Sequence, residues 1–93
     1  MKTGIELIAE ERREQIEKHG RTIESDVRFN SHGELADAAV ATLDYDSGYS
    51  SIFPLKWDEK IVDHIKNKSF FDRLIIAGAL IAAELDRLQE VEK

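Results

Sequence analysis

Residues 69–88 read SFFDRLIIAGALIAAELDRL, and the fold turns on this stretch. Ser69 with Asp72 three positions on reads as an N-cap followed by an acid in the first helical turn. Phe70, Leu74, Ile75, Ala77, Gly78, Leu80, Ile81, Leu85 and Leu88 then carry apolar character round more than half the girth of a helix running to about Val91. A helix that apolar belongs in the middle of a bundle or across an interface between copies, because 93 residues supply few neighbours to cover it.

Upstream of that helix, the same periodicity gives the remaining elements. Ile5, Ile8, Ala9, Arg12 and Ile16 recur at helical spacing, with Leu7 beside them and Gly20 as a stop, so a first helix is expected from about Thr3 to His19. Arg21 to His32 is polar and rich in Thr, Ser, Asp and Asn, which predicts an irregular loop. Ser31, His32 or Gly33 opens a second helix with Leu35, Ala36, Ala39, Val40 and Leu43 expected inward, ending near Asp44. The stretch DYDSGYSSIFPLKW, residues 44–57, holds the only proline and reads as a loop packed against the protein. Ile61, Val62 and Ile65 predict a short helix over Asp58 to Asn67. The expectation is an all-α, four-helix-type bundle in one domain over residues 1–93, completed by oligomerisation.

Charge narrows the partners. Nineteen acidic residues against 13 basic give a formal charge of −6, and no Lys/Arg run offers a nucleic-acid backbone a landing strip. With no cysteine, disulfides and thiolate chemistry are excluded. Charges enter by Glu6, so the N-terminal residues do not read as a secretory signal. The apolar run from Leu74 to Ala83 is too short to span a bilayer. A cytoplasmic protein with neither nucleic-acid nor membrane partners is expected.

The acids are placed in pairs. Glu10, Glu11 and Glu14 project within about 100° of one another on the first helix. Glu34 and Asp37 do the same on the next, flanked by Ala36, Ala38, Ala39 and Ala41 in place of the Lys and Arg that accompany solvated acids. Like charges at this spacing repel. Two such pairs on antiparallel neighbours would surround one point with hard carboxylate oxygens, the ligand set of Mg²⁺ or Mn²⁺, with waters and phosphates completing the octahedron. The competing reading is a solvated acidic face.

Glu10-Glu11-Arg12-Arg13-Glu14, then 19 intervening residues, then Glu34-Leu35-Ala36-Asp37, resembles the pattern of the MazG-like all-α nucleoside triphosphate pyrophosphohydrolases. LIAEERREQ, HGRT, GELADAA, a tryptophan in a loop and DRLIIAGALIAAELDRL together resemble the small phage and bacterial dATP/dGTP diphosphohydrolase domains, from about Ile5 to Leu88. The resemblance implies a dimer or larger assembly that cleaves a nucleoside triphosphate to monophosphate and pyrophosphate. It implies Glu11, Glu14, Glu34 and Asp37 as Mg²⁺ ligands, with Glu10 outside them. The chain departs from the family at IESDVRFN, residues 23–30, where Glu24 and Asp26 are what remains of an acidic and histidine-rich run; Asp26 is a further candidate ligand or base.

Arg73, Lys66 and Lys68 are candidates to clamp a triphosphate, and Trp57 or Phe53 to stack on a base. Each has a plainer role open to it, as a helix-end charge or a core anchor. Glu84 is expected near the site and Asp86 to pair with Arg87 or solvent; His19, His32 and His64 show no metal-type spacing and read as surface residues. The function expected is Mg²⁺-dependent hydrolysis of a (d)NTP, purine dNTPs included. The alternative is a non-catalytic helical module that binds a nucleotide or a protein partner.

Overall fold

The structure is a computed structural model and describes residues 1–44, 53–54 and 57–92. Among the described residues five helices are formed: α1 (Gly4–His19), α2 (Ile23–Phe29), α3 (Glu34–Asp44), α4 (Glu59–Lys66) and α5 (Phe70–Val91). Among the described residues there is no strand, and no helix is long and apolar enough to cross a membrane.

The helix boundaries follow from local chemistry. Thr3 Oγ1 accepts from Glu6 N at 3.2 Å while Glu6 Oε1 accepts from Thr3 N at 3.1 Å, a reciprocal cap that satisfies two orphan donors of α1. Gly20, at φ 64°, ends α1 in the left-handed conformation that glycine adopts without strain. Asp58 caps α4 through Lys60 N, and Ser69 caps α5 through Asp72 N at 3.2 Å.

The polar segment after Gly20 is not the loop its composition suggests. Thr22 accepts from Ser25 N at 3.1 Å and starts α2. Seven residues are too few to hold a helix in water unaided, and the support comes from packing against α5.

At the centre of the packing is α5, which meets α3, α1 and α2. Leu35, Ala38, Ala39 and Ala41 of α3 meet Ile76, Ala77, Leu80 and Ala83 of α5, with Ile65 and Phe53 closing the core and Trp57, Ile61 and Val62 against it. The face of α3 turned inward overlaps the expected one in part: Leu35 and Ala39 are buried as expected, and Ala38, Ala41 and Thr42 are buried with them, whereas Ala36, Val40 and Leu43 are exposed. Alanines give α5 the closest approach, and Thr42 tolerates burial because its hydroxyl donates to Ala38 O at 2.7 Å. The molecule measures 38 × 35 × 21 Å, so its thin dimension holds about two helix diameters. A central helix in two layers keeps one face uncovered. Most of the 44–57 loop lies outside the described residues.

Candidate functional site

The C-terminal half of α1, the α1–α2 elbow and α4 enclose a cavity of about 420 Å³, within the roughly 300–1,000 Å³ typical of small-molecule sites. Glu11, Glu14 and Gln15 line the α1 side. Arg21, Lys60, His64 and Lys68 supply cations or potential cations, and Ile61, Ile65 and Ile76 supply apolar wall. Glu11 is half-buried, and burial raises its carboxyl pKa; Gln15 lowers it by donating from Nε2 at 3.3 Å, and Glu14 raises it further by charge repulsion. Gln15 Oε1 is buried with no hydrogen-bond partner. The opposite edge of Glu14 bonds Lys18 Nζ at 3.3 Å.

Beside it lies a second cavity of about 320 Å³, lined by Phe29, Asn30, Trp57 and Asp58 and sharing Arg21 and Ile61 with the first. The Arg21 guanidinium sits 4.6 Å from the Trp57 ring centroid, a cation–π contact. Burial lowers the Arg21 pKa, with Asp26 and Glu11 opposing.

A buried polar chain supports this elbow from beneath. Trp57 Nε1 donates to Asn30 Oδ1 at 3.3 Å, and Asn30 Nδ2 donates to Asp26 Oδ1 at 3.0 Å. Asp26 is 0% exposed, and its Oδ2 lies 3.8 Å from Arg12 Nη2 without a hydrogen bond. Arg12, itself buried, donates from Nη1 to Arg21 O at 2.9 Å and meets Asp86 at 3.7 Å. Burial raises the Asp26 pKa; Asn30, Arg12 and Arg21 pull it down and Glu84 adds to the rise.

The structure therefore corrects the expected Asp86–Arg87 pair. Adjacent helical positions do not face each other, whereas i and i+3 do, so Arg87 takes both oxygens of Glu84 and Asp86 turns to Arg12.

The acids singled out in the sequence separate. Glu11 and Glu14 share the first cavity, while Glu34 and Asp37 are not part of its lining. Glu34 instead accepts from His32 N at the start of α3, and its charge, with those of Glu84 and Asp26, raises the Arg87 pKa, Glu84 contributing most through its hydrogen bond. Glu10 pairs with Lys2. Among the described residues no three Asp, Glu or His side chains gather closely enough to hold a metal ion, so the four-acid centre is not assembled. Glu11, half-buried, and Glu14, exposed, stand at i, i+3 on the wall of the first cavity, and Mg²⁺ asks one or two carboxylates of a protein beside substrate phosphates.

Of the basic candidates, Lys68 lines the first cavity and Lys66 does not. Arg73 is 2% exposed and spends its guanidinium on backbone, Nη1 donating to Thr42 O at 3.1 Å and Nε to Lys68 O at 3.3 Å. That ties the end of α3 to the α4–α5 corner. Asp26 is fully buried and is not part of the lining of either cavity. Phe53 is a core residue and Trp57 stands at the core edge, facing the second cavity.

No family model, curated protein or solved structure matches this chain.

Arg21, Lys60 and Gln15 are first-cavity residues that sequence reading passed over, and His19 and His64, read as surface residues, line that cavity too. The available signal for Gln15 was its place three positions beyond the buried Arg12, on the same helical face. Arg21 carried none, since its role depends on an elbow between two helices, one of which reads as loop.

Proposed function

We propose that this protein is a Mg²⁺- or Mn²⁺-dependent nucleoside triphosphate pyrophosphohydrolase that cleaves a (d)NTP, purine dNTPs included, to the monophosphate and pyrophosphate. One observation carries the reading: a single cavity sets Glu11 and Glu14 against Lys60, Lys68 and Arg21, the charge pattern complementary to a metal-bound phosphate chain. The resemblance to the MazG-like enzymes supports it, and the identities of its acids enter on that footing.

Glu11 and Glu14 would hold the cation, whose chemistry when bound is to neutralise phosphate charge and acidify a coordinated water. Lys60 and Lys68 bind phosphate oxygens beside the isoleucine wall. One carboxylate of the pair would take the proton of the attacking water as its oxygen bonds to phosphorus. The α–β bridging P–O bond breaks and its electron pair leaves with pyrophosphate.

A second reading has its own observation. Glu34 and Asp37 stand outside the cavity, which favours a module on the same scaffold that binds nucleotide or a protein partner without hydrolysis. Pyrophosphate release from a panel of ribo- and deoxyribonucleoside triphosphates, with and without Mg²⁺, separates the two. The hydrolase releases it only with metal and loses that activity in Glu11→Gln. Folded protein at high concentration that leaves every triphosphate intact sinks the hydrolase. Thermal stabilisation by millimolar Mg²⁺, abolished in Glu11→Gln, is expected as well; Glu34→Gln then reports whether α3 joins the cation. We further propose that the working unit is a homodimer or homotetramer.

A further inference from the structure

The two cavities meet at Arg21 and Ile61, and their linings differ in kind. The first holds the cations. The second is bounded by Trp57 and Phe29, with hydrogen-bond acceptors at Asn30 Oδ1 and the Asp58 carboxylate. Asn30 is held in one orientation because its Nδ2 is taken by Asp26 and its Oδ1 already accepts from Trp57 Nε1; the second lone pair of that oxygen remains as an acceptor. Asp58 uses Oδ1 to cap α4 at Lys60 N, 2.8 Å away, and is otherwise exposed.

We propose that Arg21 is the residue across which one ligand is split: its anionic tail in the first cavity, and a planar aromatic ring bearing an amino group in the second, against Trp57, Phe29 and the guanidinium. This rests on the nucleotide reading above and names the base subsite that reading leaves open. Three features support it. A guanidinium offers an edge of N–H donors for phosphate and a flat face for a ring, and Arg21 lines both cavities. Its position is prepared before binding, because the buried Arg12 holds the Arg21 carbonyl at 2.9 Å and Trp57 holds its guanidinium. Asn30 and Asp58 in the lining offer acceptors to an exocyclic amine of adenine or cytosine beside the N–H donors of Arg21, and the larger purine ring covers more of the aromatic face than uracil does.

Trp57 is the only tryptophan in the chain, so intrinsic fluorescence reads this subsite directly. The full chain is titrated with adenosine 5′-monophosphate, uridine 5′-monophosphate and ribose 5-phosphate; none can be cleaved to pyrophosphate, so binding is read apart from hydrolysis. The adenine nucleotide is expected to bind tighter than ribose 5-phosphate by roughly 5- to 100-fold, the range of one base stacked on an aromatic side chain, and tighter than the uracil nucleotide. Phe29→Ala is expected to erode the advantage of the ring without weakening ribose 5-phosphate, and Arg21→Ala to weaken both. Arg21→Ala leaves the backbone carbonyl that Arg12 uses, and far-ultraviolet circular dichroism verifies the fold of each variant. Equal binding of the adenine nucleotide and ribose 5-phosphate, or an adenine affinity untouched by Arg21→Ala in a folded variant, overturns the proposal. Ring-dependent binding without pyrophosphate release from any triphosphate would remove the hydrolase and keep the subsite; metal-dependent hydrolysis with no ring dependence would do the reverse.

Discussion

Arg12 and Asp26 show what a buried charge pair does here. Removing Arg12 leaves the Asp26 carboxylate, 0% exposed, with the Asn30 hydrogen bond and the charge of Arg21, and strips the Arg21 carbonyl of its donor. Breaking a buried pair from one side costs about 3–5 kcal/mol. Arg12→Ala is therefore expected to lower the unfolding free energy by about 3 kcal/mol in urea titration, whereas Arg12→Met with Asp26→Leu, which leaves neither charge stranded, recovers most of the loss. Asp26 also sets a pH dependence. Its folded pKa lies above the ordinary carboxyl value, so the native state binds this proton more tightly than the unfolded chain, and stability falls as pH rises through the window between the two values. Glu6, exposed and held low by its bonds to Thr3, has the opposite sign: its contribution is present above the ordinary value and lost as pH falls through the folded one. The Asp26 effect is isolated as the difference in Tm between wild type and Asp26→Asn, which should grow in favour of wild type as pH is lowered towards the carboxylate range. A difference flat with pH would show that Asp26 titrates as it does in the unfolded chain. None of this was legible in the sequence beyond the presence of the acid. Asp26 sits in a segment whose Thr, Ser and Asn read as turn formers, and Arg12 interrupts an apolar stripe where a long side chain is usually taken to reach solvent.

At the level of the elements, caps and periodicity gave α1, α4 and α5 nearly to the residue, because Thr3, Gly20, Asp58 and Ser69 act through bonds no longer than a helical turn. The inward face of α3 was legible only in part and the existence of α2 was not, since both are decided by what α5 presents. Val40 and Leu43 are the larger side chains, yet the alanine face wins because it lets two helices come closer. A similar close approach is found at Gly78. A Cβ there would stand 2.6 Å from Ile8 Cδ1 and 2.9 Å from Cγ1, so the missing side chain lets α1 cross α5. Gly78→Ala returns about 1 kcal/mol of helix propensity, and the partly exposed Ile8 can swing its terminal methyl aside. The variant is expected within about 1 kcal/mol of wild type. Gly78→Leu cannot be accommodated by one rotamer and should cost about 1–3 kcal/mol by forcing the helices apart. Pairing it with Ile8→Ala should restore part of that loss, as chemical denaturation of the four proteins would show; an equal loss with and without Ile8 would place the strain elsewhere.

For the whole molecule the question is what covers the outer face of α5. Leu74, Ile81, Leu85 and Leu88 are 45%, 48%, 57% and 39% exposed, and at about 100° per residue they fall within roughly 60° of one another. The inward stripe, with Ile76, Leu80 and Ala83, lies on the other side of the helix, so α5 is apolar on two faces and the 21 Å thickness of the fold covers one. Ile5 on α1 is 83% exposed as well. A formal charge of −6 opposes association of copies at long range, but salt screens that repulsion beyond about 8 Å at physiological ionic strength, while apolar burial is short-ranged and insensitive to it. A second copy of the chain is therefore the expected cover, and association should strengthen with added salt. Assembly links stability to concentration: about a hundredfold excess over the dissociation constant adds about 2.7 kcal/mol, which for a chain of this size raises Tm by roughly 10–20 °C. Sedimentation equilibrium is expected to show a dimer or tetramer for wild type and a monomer for Leu85→Glu, whose Tm should no longer depend on concentration. A wild-type monomer across the same concentration range, with Tm equal to that of Leu85→Glu, would mean that the exposed leucines are tolerated by an isolated chain.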